Sequence, residues 1–461
     1  MRRVPEEPPA AVGLHAPGAR LLRSRGPSPR WGPKGYKGRA GVGSRFGVDG
    51  DHALSSEYFD MKHVLVQGDG MADRPIAELG GRTPLEAART PNLDRMASRG
   101  ILGMTPTIPE GMPPGSDVGT MSVLGYDPRL YHTGRSPIEA ASMGVDLGPE
   151  DVAFRCNLVS TEPSDSGEIM KDFTAGHIST DEAAQVIATL ATSLGGDGIE
   201  FFTGVSYRHL VVWRRGRDEM RTKPPHDITG QPIADHVPVG DGAQRLIDLM
   251  ERSRDLLRDH PVNIRRREQG KQEVTQIWTW GQGRSRQMPT LKERFGINGA
   301  VIAAVDLVNG LGVIAGLDRI HVPGATGYLD TDYRAKAEYG LRALGDHDFL
   351  MIHVEAPDEA GHMGDVGEKV KAIEAIDELV VGPLLEGLSQ YGEWRLLVMP
   401  DHPTPCEIKT HSSEAVPFTV FSSADLGKTK GQSRRYNESD ARGHGIFIPE
   451  AHTVIERFLK R

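Results

Sequence analysis

Met61-Lys62-His63-Val64-Leu65-Val66 is followed almost at once by Gly68-Asp69-Gly70, and the same pattern returns twice further along the chain. Phe349-Leu350-Met351-Ile352-His353-Val354 runs into Glu355-Ala356-Pro357-Asp358, and Leu396-Leu397-Val398-Met399 runs into Pro400-Asp401-His402. Short β-rich runs alternating with helical stretches predict an α/β domain built on a mostly parallel sheet. In such open sheets, sites form outside the carboxyl ends of the strands, so Asp69, Asp358, Asp401 and His402 are expected in one crevice.

The connecting helices are legible as well. Thr90-Pro91-Asn92-Leu93-Asp94-Arg95-Met96-Ala97 opens a helix closed by Gly100, and Ser179-Thr180-Asp181-Glu182 reads as a capping box before a helix that ends at Gly195-Gly196. Lys369 to Leu388 places Val370, Ile373, Leu379, Val380, Leu384 and Leu388 near helical spacing, with Pro383 as an interruption. The acid-ended strands are absent from a middle stretch that closes with the Arg-rich run Arg252 to Arg286. That predicts a smaller inserted α+β domain over 155–290, between two halves of the sheet domain at 61–154 and 291–461.

Residues 1–60 differ from the rest. They carry a net charge of +4 against −13 for the remainder, and Pro5, Pro8, Pro9, Pro17, Pro27, Pro29 and Pro33 leave no apolar periodicity. Such a stretch cannot bury enough surface to offset its chain entropy, and a disordered basic leader is expected there. A mitochondrial transit peptide would need an amphipathic helix that these prolines deny. A start at Met61, which opens directly into a strand, is a further reading.

Composition sets outer limits. A chain of 461 residues, 38% hydrophobic and 25% charged, is a globular protein of two or three domains. It has no run of 18 apolar residues, so no membrane partner is expected. Two distant cysteines, Cys156 and Cys406, supply no disulfide framework, which points to a reducing compartment and a cytoplasmic location. A formal charge of −9 disfavours nucleic acid as a partner. An anionic small substrate would need a local cluster of arginine and histidine.

Asp358 and His362 stand four apart, and Asp401-His402 is followed by His411. Carboxylate oxygen with imidazole nitrogen suits Mn²⁺, Zn²⁺ or Co²⁺, and Mg²⁺ less well. Singly, each histidine is more often a surface or hydrogen-bonded residue, and Asp358 and Asp401 could be helix caps. Cys406 reads as a small buried thiol. Gly111-Met112-Pro113-Pro114-Gly115-Ser116-Asp117-Val118-Gly119 presents a serine before an apolar stretch; alone it is an ordinary N-cap, but beside metal ions Ser116 becomes a nucleophile for phosphorus.

Together, Gly68-Asp69-Gly70-Met71, Thr90-Pro91-Asn92-Leu93-Asp94, Gly115-Ser116-Asp117-Val118, Leu124-Gly125-Tyr126-Asp127-Pro128, Ala356-Pro357-Asp358-Glu359-Ala360-Gly361-His362 and Asp401-His402 resemble the archaeal-type cofactor-independent phosphoglycerate mutases of the alkaline phosphatase superfamily. The resemblance runs from about Met61 to the C-terminus and implies an alkaline-phosphatase-like fold. It also implies two divalent ions, Mn²⁺ foremost, and no need for 2,3-bisphosphoglycerate. Carried over, one ion falls to Asp69, Ser116, Asp401 and His402, and the other to Asp358, His362 and His411. Ser116 would carry the phosphoryl group between 3-phosphoglycerate and 2-phosphoglycerate. Gly119-Thr120-Met121-Ser122 departs from the family's commoner Ala-Asn-Leu-Ser. The alternative is a related phosphotransferase or phosphomonoester hydrolase, and a non-catalytic metal- or RNA-binding protein is a different class again.

A mutase must retain glycerate while the enzyme holds the phosphate, which calls for fixed cations. Arg155, His177, Arg208 and His209, in or at the edge of the presumed insert, are the substrate-binding candidates, with Arg135 behind them. Oligomeric state is left open.

Overall fold

The computed structural model describes residues 61–165, 167–428 and 433–460. The basic leader expected over 1–60 lies outside the described residues. Strands among them are β1 (Met61–Gly68), β2 (Ile101–Thr105), β3 (Val152–Ser164), β4 (Gly167–Asp172), β5 (Ile199–Phe202), β6 (Arg208–Trp213), β7 (Met220–Arg221), β8 (Val239–Gly240), β9 (Gln276–Arg284), β10 (Gly299–Ile302), β11 (Leu317–Arg319), β12 (Phe349–Val354), β13 (Glu393–Met399), β14 (Val416–Ser422) and β15 (Ile446–Phe447).

Eight of them form one sheet in the order β11-β10-β12-β1-β13-β14-β2-β15. Every neighbouring pair is parallel except the two made by β14. The three acid-ended strands are the adjacent trio β12, β1 and β13, with Gly68 level with Val354 and Gln67 level with Met399. Residues that follow those positions therefore leave the sheet at one edge and at one height.

Alternation along these strands builds two cores. Val64, Val66, Leu350, Ile352, Leu396 and Val398 face the helices Pro91–Arg99 and Tyr333–Ala343, while Leu65, Phe349, Met351, Leu397 and Met399 face the helices Ser116–Val123 and Asp306–Ile314. Coverage on both faces is why the runs read as continuously apolar. The helix expected from Lys369 to Leu388 is instead Val366–Ala375, a π-turn over Ile376–Val381, and Gly382–Gly387. Pro383 sits in the first turn of the last piece, where its missing N–H costs little.

The smaller sheet is antiparallel, in the order β4-β3-β6-β5 with β9 beside β3. It begins at Val152, upstream of residue 155. Phe154, Cys156, Leu158 and Val211 pack on one face with the helices Thr180–Leu194 and Ala243–Arg258. Ala153, Leu210 and Val212 pack on the other face against Ala140, in the helix Arg135–Ser142. The expected capping box is half formed: Ser179 accepts from the Glu182 N–H, but the Glu182 carboxylate also receives Arg266 at 2.7 Å.

Candidate active site

Asp69 follows β1 directly, Asp358 lies in the helix Ala356–Met363 that follows β12, and Asp401 and His402 follow β13. All four side chains are buried, and their registers bring them together as the strand-end argument requires. Neither aspartate is a helix cap. Asp358 stands inside its helix, and Asp401 accepts from the N–H groups of Gly70 and His402 at 3.3 and 3.1 Å.

Ser116 opens the helix Ser116–Val123, whose N-cap is Gly115, so the ordinary N-cap reading fails. Its Oγ lies 3.2 Å from His402 Nε2. His402 Nε2 is in turn 3.5 Å from Asp69 Oδ1 and 3.4 Å from Asp401 Oδ2. The tautomer of His402 follows from Thr404. The Thr404 hydroxyl donates to Asp358 Oδ1 and lies 3.2 Å from His402 Nδ1. Having used its one proton on Asp358, it accepts from Nδ1–H, which leaves Nε2 with its lone pair toward Ser116 and the aspartates.

On the other side of the cluster, His362 Nε2 stands 3.2 Å from Asp358 Oδ2 and 3.0 Å from His411 Nε2, and His411 Nε2 is 3.6 Å from Asp358 Oδ1. The Lys409 carbonyl, 3.0 Å from His362 Nδ1, can only accept. It therefore fixes a proton on Nδ1 and turns Nε2 toward the acids.

Asp69, Asp401 and His402 each offer a ligand atom within 4.8 Å of the others, as do Asp358, His402 and His411, so His402 stands within reach of both groups. Burial and the nearby carboxylates of Asp401, Glu355 and Asp358 push the Asp69 carboxyl well above its usual range. Burial and Asp358 push Glu355 up too. Burial works to raise Asp358, but hydrogen bonds to His362 and His411 outweigh it and hold the carboxyl low. Asp69 Oδ1 is buried without a hydrogen-bond partner. Crowded carboxylates, an orphaned oxygen and aimed imidazole lone pairs fit divalent cations of the O/N-preferring kind.

Residues that the sequence did not single out complete the surroundings. His353 Nε2 lies 2.8 Å from Asp69 Oδ2 and 3.4 Å from Glu355 Oε2. Inside an apolar strand run His353 carries no local signal of its own, and Glu355, first after the strand, is the nearest one. Gln67 donates to Thr120 at 2.8 Å, and Thr120 reaches Asp401 Oδ2 at 3.5 Å. Asp117, next to Ser116, is held by His132 at 2.8 Å and Arg135 at 3.3 Å.

The substrate-binding candidates divide by strand parity. Arg155 and Arg208 share the face of Ala153 and Leu210, toward the helix Arg135–Ser142, whereas His209 shares the opposite face with Val211. His209 is accordingly buried away from the arginines, its imidazole pushed down to about 4 by burial and its Nδ1 accepting from the Gly204 N–H. Arg155 pairs with Glu139 at 3.0 Å and stacks 4.4 Å over Trp280. Arg135 and Arg208 act on the same Glu139 carboxylate electrostatically. His177, in a turn after β4, packs its ring on Tyr207, the neighbour of Arg208. Arg135 ties the arginines to the serine: a Cβ on Gly115 would lie 2.9 Å from Arg135 Nη2 and 3.8 Å from His411 Nδ1.

A family model described as 2,3-bisphosphoglycerate-independent phosphoglycerate mutase matches residues 97–263. A probable 2,3-bisphosphoglycerate-independent phosphoglycerate mutase of Geobacter sulfurreducens is 51% identical over 401 residues, covering 87% of this chain and 100% of the relative. The chain belongs to the 2,3-bisphosphoglycerate-independent phosphoglycerate mutases. A family member from Methanothrix thermoacetophila is 53% identical over 87% of this chain and its own full length. Among solved structures, the cofactor-independent phosphoglycerate mutase of Thermoplasma acidophilum covers 87% of this chain and 99% of its own at a TM-score of 0.61 and 26% identity. A solved protein of Pyrococcus horikoshii covers 87% and 97% at 0.71 and 28%. No helix among the described residues is long and apolar enough to cross a membrane.

Proposed function

We propose that the chain interconverts 3-phosphoglycerate and 2-phosphoglycerate by passing the phosphoryl group through Ser116, without 2,3-bisphosphoglycerate. The observation that carries this reading is the Ser116 hydroxyl at a helix start, 3.2 Å from His402 Nε2, in a buried cluster of carboxylates and imidazoles. Asp69, Ser116, Asp401 and His402 would hold one divalent ion and Asp358, His362 and His411 a second, with Mn²⁺ the best match to the donors and Co²⁺, Zn²⁺ or Mg²⁺ as alternatives. Such ions supply a lowered serine pKa and positive charge beside the transferring phosphate.

The chain's own groups do the rest. Ser116 Oγ bonds to phosphorus as the bond from phosphorus to the glycerate C3 oxygen breaks. The glycerate turns, its C2 oxygen bonds to phosphorus, and the bond to Ser116 breaks. Each transfer is in line, so the acceptor must be held opposite the leaving oxygen. Arg135 pairs with Asp117, the residue after Ser116, while Arg155 and Arg208 reach in from β3 and β6, so forked cations face a substrate whose phosphate and carboxylate both pair bidentately. His177, packed on Tyr207 next to Arg208 in sequence, is kept as a further candidate, and strand parity leaves His209 out of this assignment. The segment 155–290 is read as an inserted substrate-binding domain, and water exclusion by it favours isomerisation over hydrolysis.

Incubation of the Mn²⁺-loaded chain with 3-phosphoglycerate, free of 2,3-bisphosphoglycerate, should give 2-phosphoglycerate with little free phosphate. Free phosphate as the main product would replace this reading with the hydrolase.

A further inference from the structure

The two transfers leave a proton unaccounted for. The glycerate oxygen released from phosphorus must gain one, and the hydroxyl that takes the phosphate back must lose one. Most acids near Ser116 are committed. Asp69, Asp358 and Asp401 face the ligand cluster, and Asp117 is held as an anion by His132 and Arg135, which overcome its burial. Glu139 differs. Its carboxylate, 18% exposed, stands at the arginine-lined space with Arg155 as its ion-pair partner at 3.0 Å.

Resting on the reading that Ser116 accepts the phosphoryl group, we propose that Glu139 is a catalytic acid and base that carries one proton between the two glycerate oxygens. In the first transfer the Glu139 carboxyl gives its proton to the C3 oxygen as that oxygen leaves phosphorus. In the second, the carboxylate takes the proton of the C2 hydroxyl as that oxygen attacks the phosphorus on Ser116. The carboxyl ends as it began, and no proton is exchanged with solvent in net.

The surroundings suit the task. Glu139 lies on the helix Arg135–Ser142 one turn after Arg135, so both side chains project from the same side of the helix. The groups that face it are Arg155 from β3, Arg208 from β6, Arg135 from its own helix and Asp306 from the helix Asp306–Ile314. Burial raises the carboxyl in the face of those three arginines. An anionic substrate that pairs with the arginines removes their compensating charge, so binding itself favours the protonated carboxyl that the first transfer uses.

The test compares two substrates on the full metal-loaded chain. p-Nitrophenyl phosphate has a leaving group that departs without a proton, whereas 3-phosphoglycerate does not. Glu139→Gln should lower isomerisation of 3-phosphoglycerate by about a hundredfold or more, the size of a lost general acid. Its burst of p-nitrophenol per mole of enzyme should stay within about twofold of native. Glu139→Asp, which keeps the carboxyl, should recover part of the isomerisation. Equal losses with both substrates in both variants would show a structural role and overturn the proposal, as would unchanged isomerisation in Glu139→Gln. A native chain that isomerises 3-phosphoglycerate while acid-quenched samples never show phosphate on Ser116 would contradict Ser116 as acceptor, and the proposal with it. That pattern is visible before any Glu139 variant is made.

Discussion

Thr404 shows how much of the site depends on a single hydroxyl. It uses its proton on Asp358 and its lone pair on His402, so it orients one member of each proposed ligand set. Thr404→Val keeps the shape and removes both contacts. Mn²⁺ affinity should fall about 10- to 100-fold, the usual effect of losing a group that orients a metal ligand, and titration calorimetry on the chelated and reloaded chain would measure it. Ser116→Ala acts differently, since it deletes the acceptor and leaves the six other proposed ligands. It should fold normally and still bind metal, with turnover down by several orders of magnitude because no neighbouring group replaces the hydroxyl. Steady-state assays beside the same titration separate the two variants.

Elements hold these residues at common height, and the Lys369–Asp73 pair is one tie between them. Lys369, buried in the helix Val366–Ala375, donates to Asp73 at 2.8 Å, the Ala72 carbonyl at 3.2 Å and the Thr404 carbonyl at 2.7 Å. It thereby fastens the loop after β1 to the loop after β13. Lys369→Met leaves the buried Asp73 carboxylate without its cation and takes a donor from two carbonyls, and urea denaturation should show a loss of about 3–5 kcal/mol. The strands carry a pH response too. His63 on β1 and His209 on β6 are buried, and both imidazoles are pushed down to about 4, chiefly by burial. Their unfolded value is near 6.5, so the unfolded chain binds protons first as pH falls. Stability should be full above 6.5 and decline between 6.5 and 4, by about 1–3 kcal/mol for each histidine. His209→Gln should flatten part of that decline in melting curves taken across the range. The strand-end acids were legible in sequence because an apolar run followed by Asp is a local signal. Thr404, His353 and Glu139 were not, because a threonine, a strand histidine and a helical glutamate gain their chemistry only from partners distant in sequence. His209 is a different lesson: alternation along β6 separates it from Arg208, and spacing alone placed the two together.

On the scale of the molecule, a mixed sheet collects the acids at one edge, and a smaller antiparallel sheet brings Arg155 and Arg208 to Glu139 on the helix Arg135–Ser142. The division of labour predicts separable failures. Arg155→Ala should leave transfer to Ser116 possible but hold glycerate less firmly, so free phosphate should rise relative to 2-phosphoglycerate when both are measured side by side. Chelation acts on the other part: with Asp69 and its neighbouring carboxylates uncompensated, the melting temperature should fall together with activity, and Mn²⁺ should restore both. Passage of the phosphoryl group through Ser116 would leave a covalent trace on that serine. Acid quenching of the Mn²⁺-loaded chain during turnover of 3-phosphoglycerate, followed by peptide mass spectrometry, tests it most directly. Phosphoserine at Ser116, absent without substrate, is the expected result; steady isomerisation with Ser116 unmodified at every quench time, or undiminished turnover in Ser116→Ala, would contradict passage through this serine.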